Sequence, residues 1–270
     1  MMAQDHTRRR ALAVIGTAGG IALAGCTGGG NGGDGNETNN QSGDGMGDGE
    51  MDDGGMDDDE TEDETDESMA NVRVAHLSPD APNVDVYVGG DPVLEDVPYR
   101  AVSDYLELAP DTYEVMITAA GDADTVVYDD ELEIAAGEFT IAALGELADE
   151  NQPFAPSVFE DDVSDPGDNA RVRLVHASPD APAVDVTVGD GETVLFEGAE
   201  FGDAATTEVP GGEYTLEVRP ATENNDGDVV GTFDVAPEGG SVYTAFAVGY
   251  LEPSSAPADE AFDLEVVTDA

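Results

Sequence analysis

The 270-residue chain contains no tryptophan and a single cysteine. It also lacks lysine: all eight basic residues are arginine, set against 62 acids, for a formal net charge of −54. One thiol excludes an intramolecular disulfide framework and a cysteine-based metal centre. So little positive charge argues against nucleic acid and bare anionic membrane surfaces as partners. No run reaches the ~18 apolar residues of a spanning helix. Aromatic residues are 6% of the chain, so platforms for stacking sugars are scarce.

What is present in excess is carboxylate. Such self-repulsion opposes compaction in dilute buffer. In multimolar salt the screening length falls to ~3 Å or less and the repulsion is largely removed. The composition therefore points to adaptation to high salt, and the expected source is a halophilic archaeon. A dedicated cation buffer is the rival explanation of the charge.

The first 26 residues read as an address. Arg8, Arg9 and Arg10 precede a short, weakly apolar run, Ala11–Gly25, which ends in Leu23-Ala24-Gly25-Cys26. A basic start, a short apolar stretch and small residues before a cut site make a secretory signal. Arg8 and Arg9 resemble the pair of a twin-arginine signal, the route for folded cargo. Leu-Ala-Gly-Cys resembles a lipobox, in which Cys26 becomes the lipidated first residue. The expectation is an exported protein, lipid-anchored on the outer face of the cell membrane. Residues 27–69 are rich in Gly, Asp, Glu, Asn and Met, and hold no aromatic or β-branched aliphatic residue. They cannot bury enough surface to offset ordering entropy, so a disordered acidic tether is expected. Asn36 and Asn40 each open an Asn-x-Ser/Thr acceptor pattern for N-glycosylation.

Beyond the tether the chain repeats itself. Val72–Gly89 reads VRVAHLSPDAPNVDVYVG, and 100 residues later Val172–Gly189 reads VRLVHASPDAPAVDVTVG. Period-two alternation dominates from Asn71 onward. Val72, Val74 and His76 fall on one strand face; Arg73, Ala75 and Leu77 fall on the other. Ser78-Pro79-Asp80-Ala81-Pro82 breaks the strand, since two prolines fix φ and remove donors. Gly89-Gly90-Asp91-Pro92 reads as a turn. Further strands are expected over Ala101–Leu108, Tyr113–Ala119, Thr125–Ile134 and Glu138–Leu144. The second copy should follow suit over Val186–Gly189, Val194–Leu195, Ala204–Val209, Tyr214–Arg219, Val229–Val235 and Ser241–Val248. About seven short strands per copy and no amphipathic helix predict an all-β protein of two tandem antiparallel β-sandwiches, immunoglobulin-like or transthyretin-like. The expected layout is signal 1–26, tether 27–69, repeat 70–160, linker 161–169 and repeat 170–270. A linker this short places the repeats close together.

The residues kept in both copies are the candidate sites. His76, Ser78 and Asp80, with His176, Ser178 and Asp180, contain the residue types of a hydrolytic triad. They crowd into five positions at a strand end, without a nucleophile elbow or an oxyanion-hole pattern. The structural alternative has the His capping the core edge and bonding the Pro-rich loop, with Ser and Asp as turn formers. Pairing of His76 with Asp80 or Asp85 could suit a divalent ion, although the spacing matches no ligand template. Arg73 and Arg173 are retained where arginine is rare, as are Asp85 and Asp185 on the next strand. The expectation is a cross-strand ion pair in each repeat, Arg73–Asp85 and Arg173–Asp185. An anion-binding spot is the alternative. Thr222–Asp228 fails the calcium-loop template, because no Glu closes it. No cofactor and no metal is expected.

The block V-R-x-x-H-x-S-P-D-A-P-x-V-D-V, with a later Tyr strand and a closing aromatic-Thr…Gly strand, resembles domain-of-unknown-function family 4397. It covers nearly everything from Ala70 to about Tyr250. The resemblance implies an extracytoplasmic β-sandwich, often in tandem and on lipoproteins, with no activity to carry over. The functional expectation is a non-catalytic role in binding, adhesion or envelope organisation. The expected partners are the membrane, through the lipid, and a surface-layer protein or an envelope glycan. A solute- or metal-binding lipoprotein using the His-x-Ser-Pro-Asp motif is the alternative, and an uncharacterised hydrolase the third.

Overall fold

The computed structural model describes residues 69–148 and 150–270. Cys26, Arg8, Arg9, Asn36, Asn40 and all but the last residue of the expected tether lie outside the described residues. Each repeat contains eight strands rather than about seven. In the first they are β1 (Ala70–His76), β2 (Val84–Val88), β3 (Asp91–Val97), β4 (Leu106–Leu108), β5 (Asp111–Ala119), β6 (Asp122–Ile134), β7 (Gly137–Leu144) and β8 (Ala155–Glu160). In the second they are β9 (Asn169–His176), β10 (Val184–Val188), β11 (Thr193–Ala199), β12 (Ala204–Pro210), β13 (Tyr214–Pro220), β14 (Gly231–Val235), β15 (Val242–Val248) and β16 (Asp263–Thr268).

The sheets have orders β4-β1-β7-β8 and β3-β2-β5-β6, repeated as β12-β9-β15-β16 and β11-β10-β13-β14. Each repeat is thus a sandwich of two four-stranded sheets. One pairing in each departs from the antiparallel expectation. The opening and closing strands, β1 with β7 and β9 with β15, run parallel. They are far apart in sequence, so the intervening chain supplies the crossover that parallel pairing needs.

Three local expectations give way to side-chain and edge effects. The strand foreseen over Ala101–Leu108 shrinks to β4. Upstream, the Ser103 hydroxyl accepts the Val74 N–H at 2.9 Å, and a side chain in the ladder leaves only an isolated bridge between Ala75 and Val102. Gly89 and Gly90 do turn, with φ of 60° and 86°, but Asp91-Pro92 already belongs to β3. Proline is tolerated there because β3 is an edge strand. The edge strands β8 and β16 escaped the alternation signal, being six residues each with acids and a proline among them. Asp161, foreseen in the linker, donates its N–H to the Glu138 carbonyl at 2.7 Å and so closes the β7–β8 hairpin.

Alternation places Val72 and Val74 inside the first sandwich, where they line a cavity of about 70 Å³ with Val86, Leu108, Ile117 and Ile141. Phe196, Leu216 and Val218 fill the equivalent core of the second repeat. The opposite face of β1 is not solvent-facing. Ala75 and Leu77, with Ala142 and Leu144 of β7, form one buried cluster with Val175, Ala177, Phe246 and Val248 of the second repeat. The middle sheets therefore pack on each other, and the two repeats share a third core.

Candidate functional site

The repeated His-x-Ser-Pro-Asp-Ala-Pro segment carries the chain from one sheet of each sandwich to the other. At its start, His76 and His176 have no exposed surface. Their Nε2 atoms lie 3.0 and 3.1 Å from the carbonyls of Pro82 and Pro182. A carbonyl can only accept, so Nε2 carries a proton and donates it. Nδ1 of His176 accepts the Ser178 N–H at 3.3 Å. Burial lowers both imidazole pKa values, opposed by the proline carbonyl. Tyr99 and Phe201 meet the two rings edge-on, at 6.2 and 6.3 Å between centroids.

The motif aspartates form a clamp. Asp80 accepts the N–H groups of Leu147 and Ala148, both at 2.8 Å. Asp180 does the same for Leu251 and Glu252, at 2.8 and 2.9 Å. The clamp ties the Pro-rich loop to the chain leaving β7 or β15. Ser78 and Ser178 lean on their own aspartates at 3.4 Å, and the Ser178 hydroxyl donates to the Gly249 carbonyl at 2.6 Å. Gly145 and Gly249, which end the closing strands, have φ of 82° and 78°. A Cβ there would lie 2.3 Å from the carbonyl oxygen of Pro153 or Ala261.

Neither serine hydroxyl bonds its histidine, and the imidazoles are fully buried. The pairing of His76 with Asp80 or Asp85 as metal ligands is likewise not assembled. Among the described residues, no group of three or more His, Cys, Asp or Glu converges on a common point.

The expected pairs Arg73–Asp85 and Arg173–Asp185 do not form. The Pro-rich loop puts β1 and β2 in different sheets, so the two side chains belong to different layers. Asp85 instead accepts the N–H groups of Asp96 at 2.8 Å and Gly121 at 2.9 Å, which hold its carboxyl below the usual range. Asp185 accepts from Gly198 at 2.8 Å and Thr222 at 3.1 Å. Both aspartates fasten neighbouring turns.

The arginines turn into the core between the repeats. Arg73 Nη1 lies 2.7 Å from Asp269, and Arg173 pairs with Asp161. Arg73 Nε donates to Thr140 at 2.9 Å and Arg173 Nε to Thr244 at 3.1 Å. Thr140 in turn donates to Asp161, and Thr244 to Asp269. All four charged side chains are less than a tenth exposed. Sequence reasoning found the arginines but missed Asp161, Asp269, Thr140 and Thr244. Their signal was available: Thr140 and Thr244 sit at matching places in the closing-strand blocks, and an aspartate follows both β8 and β16.

A second feature distinguishes the repeats. Between β14 and β16 the second sandwich opens into a groove of about 570 Å³, with Val172, Leu216, Phe233 and Leu264 in its wall and Thr232 and Thr268 beside them. In the first repeat the strand equivalent to the five-residue β14 is the 13-residue β6.

Comparison with solved structures gives low-identity likenesses. One is the carbohydrate-binding module CBMbc (family CBM26) from Eubacterium rectale Amy13K in complex with maltoheptaose. It is 11% identical, covers 75% of this chain and 97% of its own, and has a TM-score of 0.23. Another is the Bacillus anthracis TIE protein, 14% identical over 68% of this chain, with a TM-score of 0.23. The match spans about a third of that protein, 34% of its length. At these TM-scores neither likeness carries functional weight. No curated protein matches the sequence. The family described as "Domain of unknown function (DUF4397)" matches twice, over residues 70–187 and 170–270, and the chain is a tandem member of that family.

Proposed function

We propose that this chain is a non-catalytic binding protein of the cell surface, anchored through a lipid on Cys26 and held off the membrane by residues 27–69. One observation carries the non-catalytic reading. In both repeats the His, Ser and Asp with the residue types of a catalytic site are committed to holding the fold. His76 and His176 bond proline carbonyls, and Asp80 and Asp180 clamp backbone N–H groups. Such residues stabilise a loop and offer no nucleophile.

The fused sandwich pair presents its outer sheets and free edges for contact. The groove of the second repeat supports a binding role, since its volume falls in the range of ordinary ligand sites. The partner in this reading is a surface-layer protein or an envelope glycan. The signal-like start, with Arg8, Arg9 and Cys26, supports the location.

In-cell cross-linking at native salt, followed by purification and mass spectrometry, tests the reading. The expected result is a reproducible envelope partner joined to residues 70–270, with a C26S chain released from the membrane fraction. Recovery of the protein without a partner, or a C26S chain still held in the membrane, would overturn it.

A further inference from the structure

The contacts between the repeats cross in equivalent pairs. Matching strand register sets Arg73 against Arg173, Thr140 against Thr244, and Asp161 against Asp269 as the same positions in the two copies. Arg73 of the first repeat reaches Asp269 of the second, and Arg173 of the second reaches Asp161 of the first. Arg73 Nη2 donates across to Thr244 at 3.3 Å, and Arg173 Nη2 donates back to Thr140 at 3.1 Å. In the apolar half, Ala75, Leu77, Ala142 and Leu144 share one cluster with their counterparts Val175, Ala177, Phe246 and Val248, all at most 2% exposed. When residue i touches j and the counterpart of j touches the counterpart of i, the contact is isologous, the pattern of a two-fold dimer.

We propose that this face is a self-recognition surface. Its partner is a second copy of the same repeat, and the covalent linker supplies that copy rather than creating the contact. Three features fit. Within the clasp the two arginines balance the two aspartates, on a chain of net charge −54. Like-charge repulsion between two acidic repeats is therefore offset at the clasp. Buried ion pairs are screened far less than exposed ones, so the clasp persists in concentrated salt. The guanidinium fork serves a carboxylate of the other repeat and a threonine of its own at once, a geometry lysine cannot reproduce.

A further contact is one-sided. Arg100 holds a left-handed backbone with φ of 69°, where the second repeat has Gly202 at 82°. Non-glycine residues occupy that region at a cost. Arg100 gains a salt bridge to Asp263 at 2.7 Å and a bond to the Ala261 carbonyl at 3.3 Å, both across the interface. The second repeat has no equivalent of this strap, so pairing of unlike repeats is favoured over pairing of like ones.

A protease site inserted between Asp165 and Pro166 of the full chain tests the proposal. The protein is cut in molar salt and passed over a sizing column, with circular dichroism as the folding check. The halves are expected to elute together as folded protein; folded halves eluting apart would overturn the proposal. In the same cut chain Ala142→Arg, at the centre of the face, is expected to separate the halves. If its halves still travel together, another surface holds them and the proposal fails. If Ala142→Arg does not fold, Asp269→Ala replaces it. That change leaves the Arg73 charge buried and should weaken association on the order of a hundredfold; an unchanged affinity refutes the clasp. Finally, cut protein tagged before residue 69 is mixed with untagged cut protein. Capture through the tag is expected to bring down some untagged first repeat, as pairing of like faces requires. Retrieval of the second repeat alone would refute self-recognition.

Discussion

Phe246→Ala measures what the shared core contributes. Phe246 has no exposed surface and belongs to the cluster built from both repeats, not to the interior of its own sandwich. Its β15 neighbours Ala245 and Ala247 point into the second sandwich, whereas Phe246 and Val248 point at the first repeat. Removing a buried phenyl ring costs about 3–5 kcal/mol, the upper end applying where close-packed neighbours cannot collapse into the space. For a cooperative unit of 150–250 residues, each kcal/mol lowers Tm by about 2–4 °C. The expected loss is therefore about 6–20 °C. It is read by thermal unfolding in molar salt, followed by far-ultraviolet circular dichroism and by tyrosine fluorescence, which no tryptophan obscures. The wild type should melt in one transition, and the variant in one transition displaced downward. Two transitions with only the later repeat affected would show that the repeats unfold independently. A loss below about 1 kcal/mol would show that the cluster is not a packed core.

Other outcomes follow from the motif. Asp180→Ala leaves the N–H groups of Leu251 and Glu252 without their carboxylate; it should cost about 2 kcal/mol by denaturant titration, and a neutral result would refute the clamp. Burial lowers the pKa of His76 and His176 in the folded chain. The unfolded chain therefore binds protons first, and stability present above pH ~6.5 should fall as pH drops below that value. A flat profile between pH 5 and 7, or a slope unchanged in the His76→Gln, His176→Gln double variant, would contradict this. Gly249→Ala places a Cβ 2.3 Å from the Ala261 carbonyl; the variant should melt well below wild type, whereas Gly202→Ala, which meets no atom within 4 Å, should lose less.

Much of this architecture was legible along the chain. Alternation over Val72–His76 and Val84–Val88 declares strands because side chains point to opposite faces of a sheet in turn, and a duplicated block declares two copies of one fold. Ser78-Pro79-Asp80-Ala81-Pro82 declares a break because proline lacks a donor. The bond from His76 to the Pro-rich loop was also within reach, since local sequence brings the two together.

The partners of Arg73 and Asp85 were not legible. A strand pattern states that Arg73 and Val72 lie on opposite faces, but not what covers either face. The loop's crossing from one sheet to the other separates Arg73 from Asp85, and only docking of the repeats brings Asp269 to within 2.7 Å of Arg73. Contacts between strands of different repeats leave no local periodicity, whatever their distance along the chain. The chain alone determined most of the strands and that they occur twice, because alternation and duplication are short-range properties of backbone and side chain. Tertiary structure decided that the outward face of β1 is buried and that two scarce arginines lie in the core between the repeats, because burial depends on what the rest of the molecule places against a surface.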